Sequence, residues 1–111
     1  MSEIDNNIYS LELENFFINL EFDSNNYSNN IKEHFKLFRI ISITYNKQLN
    51  YILLLNRKTE LIDFFIDIEK KLLYINNIFK NINNKNIKKY LKDQIKNFRI
   101  YNVNNIKKYL N

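Results

Sequence analysis

Between Thr59 and Asn83 the apolar residues Leu61, Phe65, Ile68, Leu72, Ile75, Phe79 and Ile82 recur at alternating steps of four and three. Glu60, Asp63, Asp67, Lys70, Tyr74, Asn77 and Asn81 keep a similar rhythm on the opposite side. One apolar and one polar seam in register predict an amphipathic helix over 60–83, around which the chain is organised. Thr59 is placed to accept a first-turn N–H as its N-cap. Acids gather early (Glu60, Asp63, Asp67, Glu69) and bases follow (Lys70, Lys71, Lys80), the order that complements the helix dipole. Asp67 and Lys71 stand one turn apart and are expected to pair. A strand over 62–69 is the rival, because Ile62, Phe64, Ile66 and Ile68 alternate. It is short and sets Phe65 on the polar side, so the helix is preferred.

Elsewhere the periodicity is weaker. Ser2 and Asp5 form a weak capping box, and Tyr9, Leu13, Phe16 and Leu20 share one helical face, so a helix is expected over 3–21. The alternation of Phe16, Ile18, Leu20 and Phe22 supports a strand instead. Residues 23–30, DSNNYSNN, read as a loop on composition. Asn30 with Glu33 makes a further capping box. It opens a helix to about 56 on Phe35, Phe38, Ile41, Tyr45, Leu49 and Ile52. The middle of that segment, Arg39 to Tyr45, is β-branched and suits a strand. Strands at 38–45 and 50–56 would give an α+β fold with an antiparallel meander over 38–76. The helix is favoured because Lys32, Lys36, Arg39, Asn46 and Asn50 stay mostly on one side.

Past a break at 83–86, Ile87, Leu91, Ile95 and Phe98 mark a helix of 86–100. Ile106, Tyr109 and Leu110 mark a short one of 104–110. The hexapeptide Asn-Ile-Lys-Lys-Tyr-Leu occurs at 86–91 and again at 105–110, which low complexity explains. The expected fold is all-α: one domain over 1–111, a small bundle of four to five helices packed on the 60–83 helix.

Composition changes how these signals are weighed. The chain has 111 residues, with 22 Asn, 18 Ile and 14 Lys but no Gly, Ala, Pro, Cys or Trp. Gly, Ala and Pro take codons whose first two bases are G or C, whereas Asn, Ile and Lys take codons beginning with A and T. An AT-rich genome is expected, organellar, of a symbiont or parasite, or viral. Part of the net charge of +5 is then codon drift, and a basic balance is a weaker pointer to nucleic acid than usual. Asn-rich stretches are loops where other chains write Gly or Ser, since Asn tolerates positive φ.

Charge is unevenly spread. Residues 1–30 hold six acids and no base, whereas residues 85–111 hold eight bases against Asp93 alone. Lys85, Lys88, Lys92, Lys96 and Arg99 line one side of the 86–100 helix. Tyr90, Tyr101 and Tyr109 lie near them, and Lys107 and Lys108 follow. Such a stripe can neutralise phosphates while tyrosines stack on bases. It can equally be a solvated face, or dock on the acidic N-terminal segment of its own or a neighbouring copy.

The candidates for catalysis are thin. His34 is read as a solvated surface histidine with no nucleophile at a useful spacing. Asp63 and Asp67 with Glu60 are read as dipole-complementing acids rather than a cation site. The lack of glycine excludes a P-loop or dinucleotide fingerprint, and the lack of cysteine excludes thiolate chemistry. No cofactor or metal is expected, and no enzyme activity. Without a signal peptide or a long apolar run, the chain is expected to stay soluble in the compartment of its synthesis: cytoplasm, organelle matrix or infected host cytoplasm.

The expected function is a non-catalytic interaction protein, a small subunit or accessory factor of a larger assembly. The seam Leu61, Phe65, Ile68, Leu72, Ile75, Phe79 and Ile82 would supply core and packing surface. The alternative is an RNA- or DNA-binding protein, for example a ribosome-associated component of a ribonucleoprotein. It would use Lys85, Lys88, Lys92, Lys96, Arg99, Tyr90, Tyr101, Lys107 and Lys108 on phosphates and bases. Self-association through the acidic and basic ends is a further expectation.

Overall fold

Periodic apolar seams with polar caps become four helices in the computed structural model, which describes residues 10–22 and 27–111. They are α1 (Leu11–Phe22), α2 (Asn29–Leu55), α3 (Lys58–Phe79) and α4 (Lys85–Leu110). No strand occurs among the described residues, so the all-α fold holds and the α+β meander does not form. The β-branched run at 38–45 lies inside α2. Phe38, Ile41, Tyr45 and Leu49 all face the core, and that burial outweighs local strand propensity. The hydroxyls of Ser42 and Thr44 donate to the carbonyls of Phe38 and Ile40 (2.8 and 2.7 Å), so neither competes with the helix for a main-chain N–H.

The helix ends correct several boundaries. Ser10 Oγ accepts from Leu13 N (3.1 Å) and starts α1, while the expected cap at Ser2 and residues 3–9 lie outside the described residues. Ser28, not Asn30, caps α2 by accepting from Ile31 N at 3.3 Å. Thr59 is already helical; Arg57 stands at the N-cap of α3 without a side-chain capping bond. α3 ends at Phe79, before Ile82, which nonetheless tucks into the core. Asn84 caps α4, its Oδ1 accepting from Asn86 N and Ile87 N at 3.0 and 3.1 Å. In place of two C-terminal helices there is one, unbroken from 85 to 110.

That continuity has a cause in the core. Asn102 and Asn105, one turn apart, face inward and are buried. The Tyr45 hydroxyl, fully buried, donates to Asn102 Oδ1 (2.7 Å) and accepts from Asn105 Nδ2 (3.2 Å). Asn102 Nδ2 donates to the Phe65 carbonyl at 3.3 Å, so one polar cluster ties α2, α3 and α4 together. Asn–x–x–Asn looks like a helix breaker in sequence, yet here it is the inward seam of the last turns.

α3 and α4 run antiparallel. Phe65 meets Asn102, Glu69 meets Arg99 and Lys80 meets Lys88, one number rising as the other falls. α2 is antiparallel to α3, with Tyr45 against Phe64 and Phe38 against Phe79. The core of this three-helix bundle is aromatic-rich, with Phe35, Phe38, Tyr45, Phe65, Phe79 and Phe98 all buried. α1 lies across α2 and α4, burying Leu13, Phe17 and Leu20. It is held by Phe17 on Phe38, Phe16 on Tyr90 and the Glu14–Arg39 ion pair at 2.9 Å.

Candidate interaction surface

Helical spacing sorts the α4 bases before any contact is considered. Lys85, Lys92 and Lys96 are exposed along one side and make no hydrogen bond or ion pair among the described residues. Lys88 and Arg99 lean toward α3 and are engaged. Lys88 Nζ donates to the Lys80 carbonyl at 3.4 Å, and Arg99 grips Glu69 Oε1 through Nε (2.7 Å) and Nη2. Lys107 continues the exposed row, whereas Lys108 turns away and sits over the Tyr109 ring, 5.1 Å from its centroid.

Of the three tyrosines that sequence places beside this stripe, Tyr90 and Tyr101 have neighbours on other helices. Tyr90 packs on Phe16, ring centroids 4.1 Å apart, and its phenol pKa is raised by burial and then by the nearby Glu12 carboxylate. Tyr101 donates to Asn46 Oδ1 at 2.8 Å and packs edge-on against Tyr45. Both rings lie on the side of α4 that faces α1 and α2, away from Lys92 and Lys96. The lysines and the tyrosines therefore do not form one stacking platform.

The seven residues of the 61–82 seam are all buried. The apolar area left on the outside is a different set. On α3, Ile66 and Leu73 are 48% and 46% exposed, and on α4 Ile100 and Val103 are 51% and 39% exposed. On α2 the outward face shows Ile40, Ile43, Tyr51 and Leu54. The central seam pointed to the core and gave no signal for this set. The signal was present in the second apolar periodicity, Ile62, Ile66 and Leu73, which the seven-residue seam overshadowed.

His34 is a correction. It is buried rather than solvated, with Nδ1 2.6 Å from the Asn30 carbonyl and its ring against Tyr74 (5.1 Å between centroids). An i to i−4 bond and an aromatic neighbour make it a packing residue of the α2–α3 seam. Among the described residues no group of three or more His, Asp or Glu side chains is placed to hold a metal ion. A shallow depression of about 320 Å³ lies where the α2–α3 turn meets the end of α4, lined by Ile52, Leu61 and Tyr109 among others, with Arg57 and Lys58 at its rim. Its lining offers no paired acid and base. No helix among the described residues is long and apolar enough to cross a membrane.

Comparison with family models, with curated proteins and with solved structures finds no match to this chain.

Proposed function

We propose that this chain is a non-catalytic interaction protein, a small helical subunit or accessory factor of a larger assembly that works in the compartment where it is made. The observation that carries the reading is the mixed outer face of α3 and α4, where Ile66, Leu73 and Val103 lie among unpaired lysines. Apolar side chains left in water beside charges are the composition of a protein interface with a polar rim. The second apolar face, on α2, supports the same reading. The composition supports an AT-rich genome as the source.

Nucleic-acid binding is the second reading, favoured by the exposed row Lys85, Lys92, Lys96 and Lys107. Three facts weigh against it as the first. Arg99 is neutralised by Glu69, Tyr90 and Tyr101 are turned to other helices, and Val103 interrupts the row between Lys96 and Lys107. Self-association is tested in the same way as any protein partner, by the oligomeric state of the purified chain.

The experiment is a native pull-down of the tagged chain from the cells that make it, with and without nuclease. Retention of defined proteins after nuclease treatment is the expected result. Loss of every co-purifying species on nuclease treatment would put the nucleic-acid reading first.

A further inference from the structure

The basic residues of α4 are not placed at random with respect to the apolar ones. On α3, Ile66, Glu69 and Leu73 follow at i, i+3 and i+7, and on α4 so do Lys96, Arg99 and Val103, so each trio shares one helical side. Glu69 and Arg99, the middle members, are bonded to each other. The helices are antiparallel, which sets Ile66 beside Val103 at one end of the Glu69–Arg99 pair and Leu73 beside Lys96 at the other. Lys92, one turn back from Lys96, extends the second end. The shallow groove between α3 and α4 is therefore apolar at one end and both apolar and basic at the other.

This end of the groove combines exposed apolar side chains with lysines that no acid among the described residues neutralises. Some surface bases are paired with acids: Lys36 with Glu33, Arg57 with Glu60, Lys71 with Asp67, Lys89 with Asp93. Lys92 and Lys96 make no ion pair among the described residues, the nearby Asp93 being paired with Lys89. A row of uncompensated lysines next to exposed leucine and valine is complementary to a helix that carries acids beside its apolar stripe. The fold already accepts one helix of this type, since α1 lies against α2 and α4 through Leu13, Phe17 and Leu20 and sets Glu14 on Arg39.

Resting on the assembly reading above, we infer that the α3–α4 groove docks an acidic amphipathic helix of a partner protein. The apolar stripe of the partner covers Ile66, Leu73 and Val103, and its carboxylates meet Lys92 and Lys96, the helix-in-groove mode of recognition. The Glu69–Arg99 pair forms the floor and holds the two helices in register beneath it.

The test is an NMR titration of the isotope-labelled full chain with four probes. These are a designed Leu/Glu amphipathic helical peptide, a peptide of the same composition with the stripe scrambled, a Leu/Lys counterpart, and a single-stranded RNA oligonucleotide. The Leu/Glu peptide is expected to shift resonances of Ile66, Leu73, Val103, Lys92 and Lys96, the scrambled peptide less, and the Leu/Lys peptide not at all. Lys92→Glu with Lys96→Glu, and separately Leu73→Gln, are expected to weaken that binding about tenfold each. All five side chains are exposed to at least a third of their surface or fully, so these variants keep the fold, which their melting curves verify. Shifts confined to another face, equal shifts with the scrambled peptide, or RNA shifting the same lysines more strongly than the Leu/Glu peptide would each overturn the groove. A nuclease-resistant partner that is still captured by Lys92→Glu with Lys96→Glu would overturn the groove while leaving the assembly reading in place.

Discussion

Tyr45 is the residue whose surroundings explain most about this chain. It is a tyrosine with no exposed surface, and burial alone would strand its hydroxyl; Asn102 and Asn105 supply the acceptor and the donor. Tyr45→Phe keeps the ring packing and leaves the Asn102 oxygen without its donor. The cost is expected to be about 1–3 kcal/mol of unfolding free energy in urea at neutral pH. Burial also holds the Tyr45 pKa well above its ordinary value of 10.0, outweighing the Asn105 hydrogen bond, which acts the other way. A raised folded-state pKa means that this contribution is whole below the unfolded value and fades as pH climbs above it. The stability gap between the natural chain and Tyr45→Phe is therefore expected to be constant up to about pH 9 and to narrow beyond about pH 10. A gap that widens with alkali would contradict this account of the cluster.

The helices show what asparagine does in a chain that has no glycine. Asn56 ends α2 in the left-handed region at φ 53° and ψ 40°, the place where another chain would put Gly, and its N–H donates to the Leu53 carbonyl at 3.2 Å. Asn56→Gly is expected to raise the melting temperature. Asn56→Ala is expected to lower it, with a stability loss on the order of 1 kcal/mol, because Ala tolerates the left-handed conformation less well than Asn. Asn84 is an N-cap, while Asn102 and Asn105 are core residues. One residue type in three structural roles is why the ends of elements were hard to read and their interiors were not. The seam from Leu61 to Ile82 and the apolar face of α2 were legible because burial needs a period, and periods survive a skewed composition. The break expected at 101–103 was a misreading of polar residues that face inward. The repeated hexapeptide makes the same point. Its two copies are nineteen residues apart, so the second is rotated by about a quarter turn; Asn86 is exposed where Asn105 is buried. Amides of residues 101–105 are expected to exchange as slowly as those of 91–95, and fast exchange confined to 101–104 would restore two helices.

Across the whole molecule exposed apolar area lies on more than one face, and on the α3–α4 face it lies beside lysines unpaired among the described residues. The basic C-terminal stretch was evident in sequence, but which of its members are free was not. Pairing of Arg99 with Glu69, thirty residues away, depends on the antiparallel packing of α3 on α4. Sequence could not show that the tyrosines turn to the other side of α4, because their partners, Phe16 and Asn46, come from α1 and α2. Replacing Lys92 and Lys96 by Glu is expected to leave the melting temperature within about 2 °C of the natural chain, since exposed substitutions away from structural contacts change stability by about 0.5 kcal/mol or less. A large fall would mean that these lysines hold the fold together rather than a partner. The decisive comparison is site-specific photo-crosslinking in the cells that make the protein, with a photoreactive phenylalanine analogue in place of Val103 and, as control, in place of the exposed Asn97 on another side of α4. A nuclease-resistant protein adduct formed from position 103 and not from 97 is the predicted result. An adduct to nucleic acid, or equal yield from both positions, would contradict it.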